Sequence, residues 1–433
     1  MQKFFNKNLL WYFLFVLPIT FTIGIFVTEI FLTIIILFFF YQNKNFLYYR
    51  DKKFLFLLIF SIYIAISAIL KIDHNDLLVS SIFHFRYAVF SLSIFYTLTY
   101  FQDEINFRKK NILYIILFVI FFILIDSILQ FLTGQNTLGF KIINNRISSV
   151  FGSELILGSF LIKILPLILW LCFYLNFYLK KKQFFQIIFF SFYFISIYLS
   201  GERTSLALMF ILIILSVYFI TKLRKTFLVS SVVLVIFIII TSSFNIGKSN
   251  PFNRIFIKTF NEVTDQLYTE EVKGLSKEQL IESRENILKH IKIFSKDHDG
   301  HFVLAFNLFT ENPMFGVGPK GFRSYCRSVN YDSKIGICST HPHNIFLQIL
   351  AEMGIIGMLF YIYGISFVVF KIWQISKKKI NSSENYCFLV VSISLLINLF
   401  PFFPSGNFFN NWMSIINYYF LGLYLYSYKR VYL

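Results

Sequence analysis

Residues 111–133 read NILYIILFVIFFILIDSILQFLT, an apolar run whose one charged residue is Asp126. A helix of about 20 residues crosses the roughly 30 Å hydrocarbon core of a bilayer. Apolar runs of similar length recur on both sides, and the chain is 57% hydrophobic but 14% charged. Because a soluble domain carries about 25% charge, this chain cannot cover a water-facing surface. We therefore predict an all-α membrane protein.

The apolar runs predict about twelve transmembrane helices. Residues 9–41 form two short helices divided near Gly24, with a kink at Pro18. The further spans are 53–71, 84–101, 111–133, 155–178, 184–200, 204–221, 226–242, 345–370, 386–402 and 411–428. No cleavable signal peptide is expected, because the first apolar stretch continues into the second without a small-residue cleavage site.

One integral membrane unit with a large loop is therefore expected. Helices 1–9 occupy residues 1–242, a helical external loop or cap occupies 243–344, and helices 10–12 occupy 345–433. Basic clusters such as 108–110 and 377–379 separate the apolar runs. Such clusters stay on the cytoplasmic side, so both termini are predicted to be cytoplasmic. The net charge of +18 reflects this bias, and no nucleic-acid partner is expected.

THPHNIFLQILAEMGIIG at 340–357 is the segment in which the external loop meets a membrane helix. His343 and Asn344 precede the apolar run, so both are predicted at a helix N-terminus. The positive end of a helix disfavours protonation of an imidazole. A neutral His343 can then act as a base, or it serves as an interfacial helix cap. Gly354 and Gly357 are expected to share a face and to let a neighbouring helix approach closely.

The pair His343-Asn344, followed by Gly354 and Gly357, resembles the motif of bacterial O-antigen ligases and the related O-antigen polymerases. Further segments resemble that family in the same order, so the resemblance covers most of the chain. They are 125–139, 146–160, SGERTSLALM at 200–209, ENPMFGVGPKGFR at 311–323 and LFPFFPSGNFFNNW at 399–412.

The resemblance implies a metal-independent, inverting glycosyltransferase of lipopolysaccharide biosynthesis, with its active site at the periplasmic face of a bacterial inner membrane. The implied partners are an undecaprenyl-diphosphate-linked glycan donor, a glycolipid acceptor and the lipid bilayer, and no cofactor is implied. The acceptor is lipid A-core for a ligase and a second carrier-linked glycan for a polymerase. We favour the ligase, although both groups share these motifs.

The transfer that the resemblance implies assigns roles to polar residues at external helix ends. His343 would act as the base or position the acceptor. Arginine suits the leaving diphosphate, because a guanidinium binds phosphate oxygens in a bidentate way. The expected diphosphate ligands are Arg203, Arg146, Arg86 and Arg284. The supporting residues are Asn344, Gly354, Gly357, Glu154 and Arg323. Snorkelling to lipid headgroups would also account for the first three arginines, and a solvated helix face would account for Arg284.

Cys326 and Cys338 lie in the external loop, where an oxidising compartment favours a disulfide between them. The disulfide would close a short loop before Thr340 and contribute about 2–3 kcal/mol on the entropy model. His341 and His343 have no third and fourth ligand at a spacing that suits zinc. No metal site is therefore expected.

A transporter or lipid flippase is the competing class of protein, since twelve helices with both ends inside also suit a transporter. Transporters often consist of two related halves, whereas residues 1–220 and 221–433 show no repeat. A structural scaffold would leave the arginines and histidines at the external helix ends without a role. The single large external loop favours the enzyme.

Overall fold

The fold of the chain is helical. The computed structural model describes residues 7–42, 52–100, 109–177, 183–261, 296–328, 338–377 and 382–432. Helices α1 to α10 are Lys7–Thr20, Ile25–Gln42, Lys52–Lys71, Asn75–Ile82, Phe85–Tyr100, Lys109–Thr133, Leu157–Tyr174, Gln183–Leu199, Arg203–Phe219 and Arg224–Ser243. Helices α11 to α15 are Lys296–Glu311, Gly321–Ser328, Ile345–Ser376, Ser383–Asn398 and Asn411–Tyr432.

The helices follow the apolar runs of the sequence. Within the described residues each of the twelve predicted spans coincides with a helix, and Gly24, with φ of 145°, separates α1 from α2. Five helical stretches are long and apolar enough to cross a membrane by length and composition, and the other apolar helices are shorter. The chain is a multi-pass, all-helical membrane protein. The number of crossings, the orientation and the division into domains stay predictions.

Helix α4 is an element that the hydropathy pattern did not reveal. Its eight residues, NDLLVSSI, are too few and too polar to resemble a membrane span. The Ser81 hydroxyl donates to the carbonyl of Pro319 at 3.3 Å, and the amine of Lys320 donates to Ser80 at 2.7 Å. Helix α4 therefore supports the turn that precedes α12.

Helix α7 is buried along almost its whole length, because it is apolar on every face. It packs on α14, α14 packs on α15, and α15 packs on α5. Trp170 of α7 stacks on Tyr174 with ring centres 4.7 Å apart, and its indole N–H donates to Ser427 at 3.1 Å. A Cβ at Gly422 would stand 2.7 Å from the carbonyl oxygen of Ser91, so glycine allows α15 to lie close to α5.

Helix α13 is broken at Gly354, which has φ of 62° and ψ of −162°. The turn at residues 313–317 docks on this break. Val317 N–H donates to Ala351 O at 2.9 Å, and Ile355 N–H donates to Pro313 O at 2.8 Å. The backbone groups that the break exposes are therefore satisfied, as an apolar environment requires.

The break corrects the predicted role of the two glycines of α13. Gly354 does not receive a neighbouring helix: a Cβ there would stand 2.5 Å from the backbone of Met314, so it receives the 313–317 turn. A Cβ at Gly357 would meet the side chain of Met353 of the same helix. The spacing predicted a shared face because it assumed a continuous helix, whereas the left-handed backbone at Gly354 rotates the two halves of α13 relative to each other.

We call residues 296–328 and 338–344 the lid. Leu304, Leu308 and Phe322 of the lid pack on Ala351 of α13. A disulfide joins Cys326 to Cys338, with Cα atoms 5.5 Å apart. The lid therefore rests on the first half of α13. The helix face on which Arg284 was predicted lies outside the described residues.

Replacement of Gly354 by alanine should destabilise the protein, because the new Cβ would clash with Met314 and because alanine disfavours φ of 62°. We expect the free energy of unfolding to fall by about 2 kcal/mol or more. Gly364 lies in the same helix with no atom within 4 Å of its hypothetical Cβ, so Gly364→Ala is the matched control. Thermal unfolding of the detergent-solubilised chain should show a lower melting temperature for Gly354→Ala alone, and equal effects at both positions would contradict the role of the break.

Candidate active site

A cavity of about 1630 Å³ lies between the lid and the adjacent helix ends. Its wall comes from the α1–α2 turn, the beginnings of α7 and α9, the lid, and the segment between α14 and α15. Among the described residues the charged lining consists of Arg146, Lys163, Arg203, Arg254, Lys258, Lys320, Arg323, Glu154 and Glu202. Seven cations against two carboxylates favour an anionic ligand.

The cavity brings together several of the residues predicted from the sequence. These are Arg146, Glu154, Arg203, Arg323 and His343. Arg86 lies elsewhere: its guanidinium donates to the Glu29 carboxylate at 3.0 Å and to the Tyr87 hydroxyl at 2.6 Å. Arg86 therefore does not line the cavity as predicted, and its partner is a carboxylate on α2. Arg284 lies outside the described residues.

Glu202 joins the beginnings of two helices at the cavity. It is the N-cap residue of α9, and its carboxylate accepts hydrogen bonds from the N–H groups of Gly158 at 2.8 Å and Ser159 at 3.1 Å, at the start of α7. A carboxylate is stabilised at the positive end of a helix. The guanidinium of Arg146 lies 3.5 Å from the same carboxylate. Burial lowers the pKa of Arg146, and Glu202 opposes that shift.

Three arginines converge around one glycine. The guanidinium of Arg203 donates to the carbonyl of Arg254 at 3.2 and 3.3 Å, and that of Arg254 donates to the carbonyl of Gly201 at 3.2 Å. Gly201 has φ of 68°, and a Cβ there would lie 3.2 Å from the side chains of both Arg146 and Arg254. Glycine at this position therefore allows the arginines to approach one another.

His343 belongs to a cluster of four histidines. Its ring centre lies 4.1 Å from that of His341, 5.3 Å from that of His301 and 5.4 Å from that of His298. The Ser339 hydroxyl lies 3.1 Å from its Nε2 atom. Two of the three neighbours belong to α11, so the lid completes the surroundings of His343.

The His343 ring is neutral at neutral pH. Burial, followed by the three neighbouring histidines, lowers its pKa to about 3. Burial lowers the pKa of His341 to about 4. A neutral imidazole can accept a hydrogen bond or a proton from a hydroxyl group. We predicted a neutral ring because His343 precedes a helix N-terminus. In the structure, burial is the chief cause of the lowered pKa of His343.

The segment between α14 and α15 holds the backbone of His343. Ser405 N–H donates to the carbonyl of His343 at 2.7 Å, and the Ser405 carbonyl lies 3.1 Å from Nε2 of His341. His343 has φ of 56°, in the left-handed region that few non-glycine residues adopt. Such a conformation persists where surrounding contacts determine it, as they do here.

Asn344 caps α13 and ties it to the same segment. Its side-chain oxygen accepts from Leu347 N–H at 3.0 Å, and its amide donates to the carbonyl of Pro401 at 2.8 Å. One turn later the fully buried Gln348 donates to Asn407 at 2.8 Å. Asn344 is thus a structural support of the site rather than part of the cavity wall.

The sequence analysis missed Glu202, Arg254 and Lys258 as cavity residues. A local signal existed for Glu202, since acidic residues are enriched at the start of a helix, where the dipole favours a negative charge. No local signal marks Arg254 or Lys258, because they reach the cavity only through the packing of residues 250–261 on the α8–α9 turn.

Residues 303–362 match the family model described as O-antigen ligase. The match begins within α11, includes His343 and extends past the break at Gly354. It therefore confirms the family resemblance for the part of the chain that carries the lid and the histidine motif. No curated protein matches the chain.

The histidine cluster should make the folded protein less stable in acid. The folded-state pKa values of His341 and His343 are lowered to about 4 and about 3, whereas an unfolded histidine has a pKa of about 6.5. The unfolded chain therefore binds more protons between these values, and the free energy of unfolding should fall as the pH drops from about 6.5 towards 4. Melting temperatures measured at about pH 7.5 and about pH 5 should show this loss.

The contribution of the cluster can be isolated with variants. The double variant His341→Gln/His343→Gln should show a smaller loss of stability between the two pH values than the unmodified chain. His74 lies outside the cavity, so His74→Gln should behave like the unmodified chain. A double variant that is as acid-sensitive as the unmodified chain would show that other groups cause the loss.

Proposed function

We propose, from the O-antigen ligase domain at residues 303–362, that this protein is an inverting glycosyltransferase of surface polysaccharide biosynthesis. It would move a glycan from undecaprenyl diphosphate to a lipid A-core acceptor at the periplasmic face of the inner membrane. One observation carries the proposal: His343 shares a cavity with Arg146 and Arg203, which lie outside the matched segment. A base and a set of phosphate-binding groups are the two things that this reaction needs.

The diphosphate of the donor would bind the arginines and lysines that line the cavity, which we call the cationic wall. Arg203 stands at the beginning of α9, where the backbone dipoles also favour an anion. Arg146 comes from the segment between α6 and α7, and its guanidinium donates to the carbonyl of Leu155 just before α7. Arg323 faces the same space from the lid. These cations supply the charge neutralisation that a divalent ion provides in many other phosphate-handling enzymes, which supports a metal-independent reaction.

The polyprenyl tail would occupy the apolar part of the wall. Phe151, Leu155 and Leu208 line the cavity together with the α1–α2 turn. In that turn Ile23 is 72% exposed, so the apolar lining continues to the surface of the bundle. A long isoprenoid chain could therefore leave the cavity towards lipid while its diphosphate stays inside.

The reaction would proceed by direct displacement. The acceptor hydroxyl would donate a hydrogen bond to His343, attack the anomeric carbon and form the new glycosidic bond. The bond between that carbon and the phosphate oxygen would break, and its electron pair would stay on the diphosphate. The hydroxyl proton would pass to His343. The bound diphosphate would favour the imidazolium form, so His343 becomes a stronger base once the donor is in place.

Replacement of His343 by alanine should abolish transfer without preventing insertion into the membrane. Loss of a general base lowers a rate by about 10²- to 10⁴-fold. Arg203→Ala should weaken donor binding strongly, and Arg203→Lys should restore it only in part, because an amine lacks the bidentate fork. His74→Ala is the control outside the cavity. Transfer measured with membranes of a deletion strain that carries each variant tests these expectations, and full activity of His343→Ala would refute the mechanism.

The surface polysaccharide of a deletion strain should distinguish a ligase from a polymerase. For a ligase we expect the loss of all attached glycan and the accumulation of carrier-linked chains. Attachment of a single repeat unit would instead identify a polymerase. Unchanged surface polysaccharide would contradict both, and accumulation of carrier-linked glycan on the cytoplasmic side would indicate a flippase.

A further inference from the structure

Lys163 is a buried cation in the apolar helix α7. It lies about one and a half turns after the start of the helix, is 7% exposed and lines the cavity. Its amine lies 5.6 Å from the ring centre of Trp412. In the described part of the chain no hydrogen bond or salt bridge joins this amine to another residue.

The charge of Lys163 is compensated only in part, by the electrostatic attraction of the Glu202 carboxylate. A cation–π contact weakens beyond about 6 Å, so the contact with Trp412 is at its outer limit. The nearby carboxylate of Glu202 already accepts hydrogen bonds from Gly158, Ser159 and Ser205. An ionisable side chain within a membrane helix is costly unless it has a partner or a function, and an apolar residue would pack here without that cost.

We infer that Lys163 binds the lipid-proximal phosphate of the donor diphosphate, an inference that rests on the proposed function. Arg203 lies at the beginning of α9 and Arg146 lies before the beginning of α7, whereas Lys163 lies further along α7, and the apolar residues Ile162 and Leu208 line the same cavity. In a lipid-linked diphosphate the phosphate attached to the isoprenoid is the one nearer the membrane. Lys163 therefore stands where the charged and apolar parts of such a donor join.

The position of Lys163 has a consequence for the product. Transfer breaks the bond between the anomeric carbon and the sugar-proximal phosphate oxygen, and the carrier diphosphate leaves with one more negative charge. Lys163 attracts this product more strongly than the donor. The residue thus stabilises the leaving group, although it contacts neither the sugar nor the acceptor.

The test uses the full chain in detergent and three probes with the same tail: farnesyl diphosphate, farnesyl monophosphate and farnesol. Lys163→Met should weaken the binding of both phosphorylated probes by about tenfold or more, because a charge-assisted contact is lost. The binding of farnesol should not change. Lys163→Arg should keep most of the affinity. Lys248 is exposed and lies outside the cavity, so Lys248→Met is the matched control.

Thermal stability without a probe separates a binding role from a structural one. A lysine that serves the ligand destabilises the empty protein, so Lys163→Met should melt at the same temperature as the unmodified chain or higher. A lower melting temperature, together with unchanged affinity for the phosphorylated probes, would overturn the inference.

The same binding measurements distinguish a failure of this inference from a failure of the proposed function. If Arg203→Ala weakens the binding of farnesyl diphosphate but Lys163→Met does not, Lys163 has no role at the phosphate and the proposed function stands. If the unmodified chain binds farnesyl diphosphate no better than farnesol, the cavity does not recognise a lipid diphosphate, and both proposals fall.

Discussion

The break in the hydrogen-bond ladder of α13 is the constraint on which the lid and the cavity depend. Backbone groups freed at Gly354 cannot remain bare in apolar surroundings, and the 313–317 turn satisfies them. These hydrogen bonds join the main chain of the lid to α13 and fix which residues of the lid lie opposite which residues of the helix. His343 precedes the same helix, and the lid histidines reach it from α11. A shift of that register would separate the cluster.

The cationic wall and the neutral histidines are two complementary features of one cavity. Burial, followed by the neighbouring histidines, keeps His343 unprotonated, and the cations that line the same cavity favour an anionic ligand. The two features also come from different parts of the chain. The lid supplies the histidines, the segment between α6 and α7 supplies Arg146, and the beginning of α9 supplies Arg203.

The helices could be predicted from the sequence, because a segment that is buried in a membrane must be long and apolar. Each segment shows both properties without reference to the rest of the chain. It also predicted His343 at the start of a membrane helix. It did not reveal that Arg86 pairs with Glu29, since a pair between separate helices leaves no periodic pattern. Gly354 shows the same limit: its spacing to Gly357 predicted helix packing, whereas its backbone conformation follows from the distant turn that docks there.

The wall of the cavity includes residues from Phe21 to Met413. The ribosome synthesises the α1–α2 turn long before the segment between α14 and α15. One side of the cavity is therefore present before the other side exists. The cavity is complete only after the last two described helices, α14 and α15, have been synthesised and packed on α7 and α5. A nascent chain that is still in the insertion machinery therefore lacks a complete cavity, and a ligand that needs the whole wall can bind only after synthesis has ended.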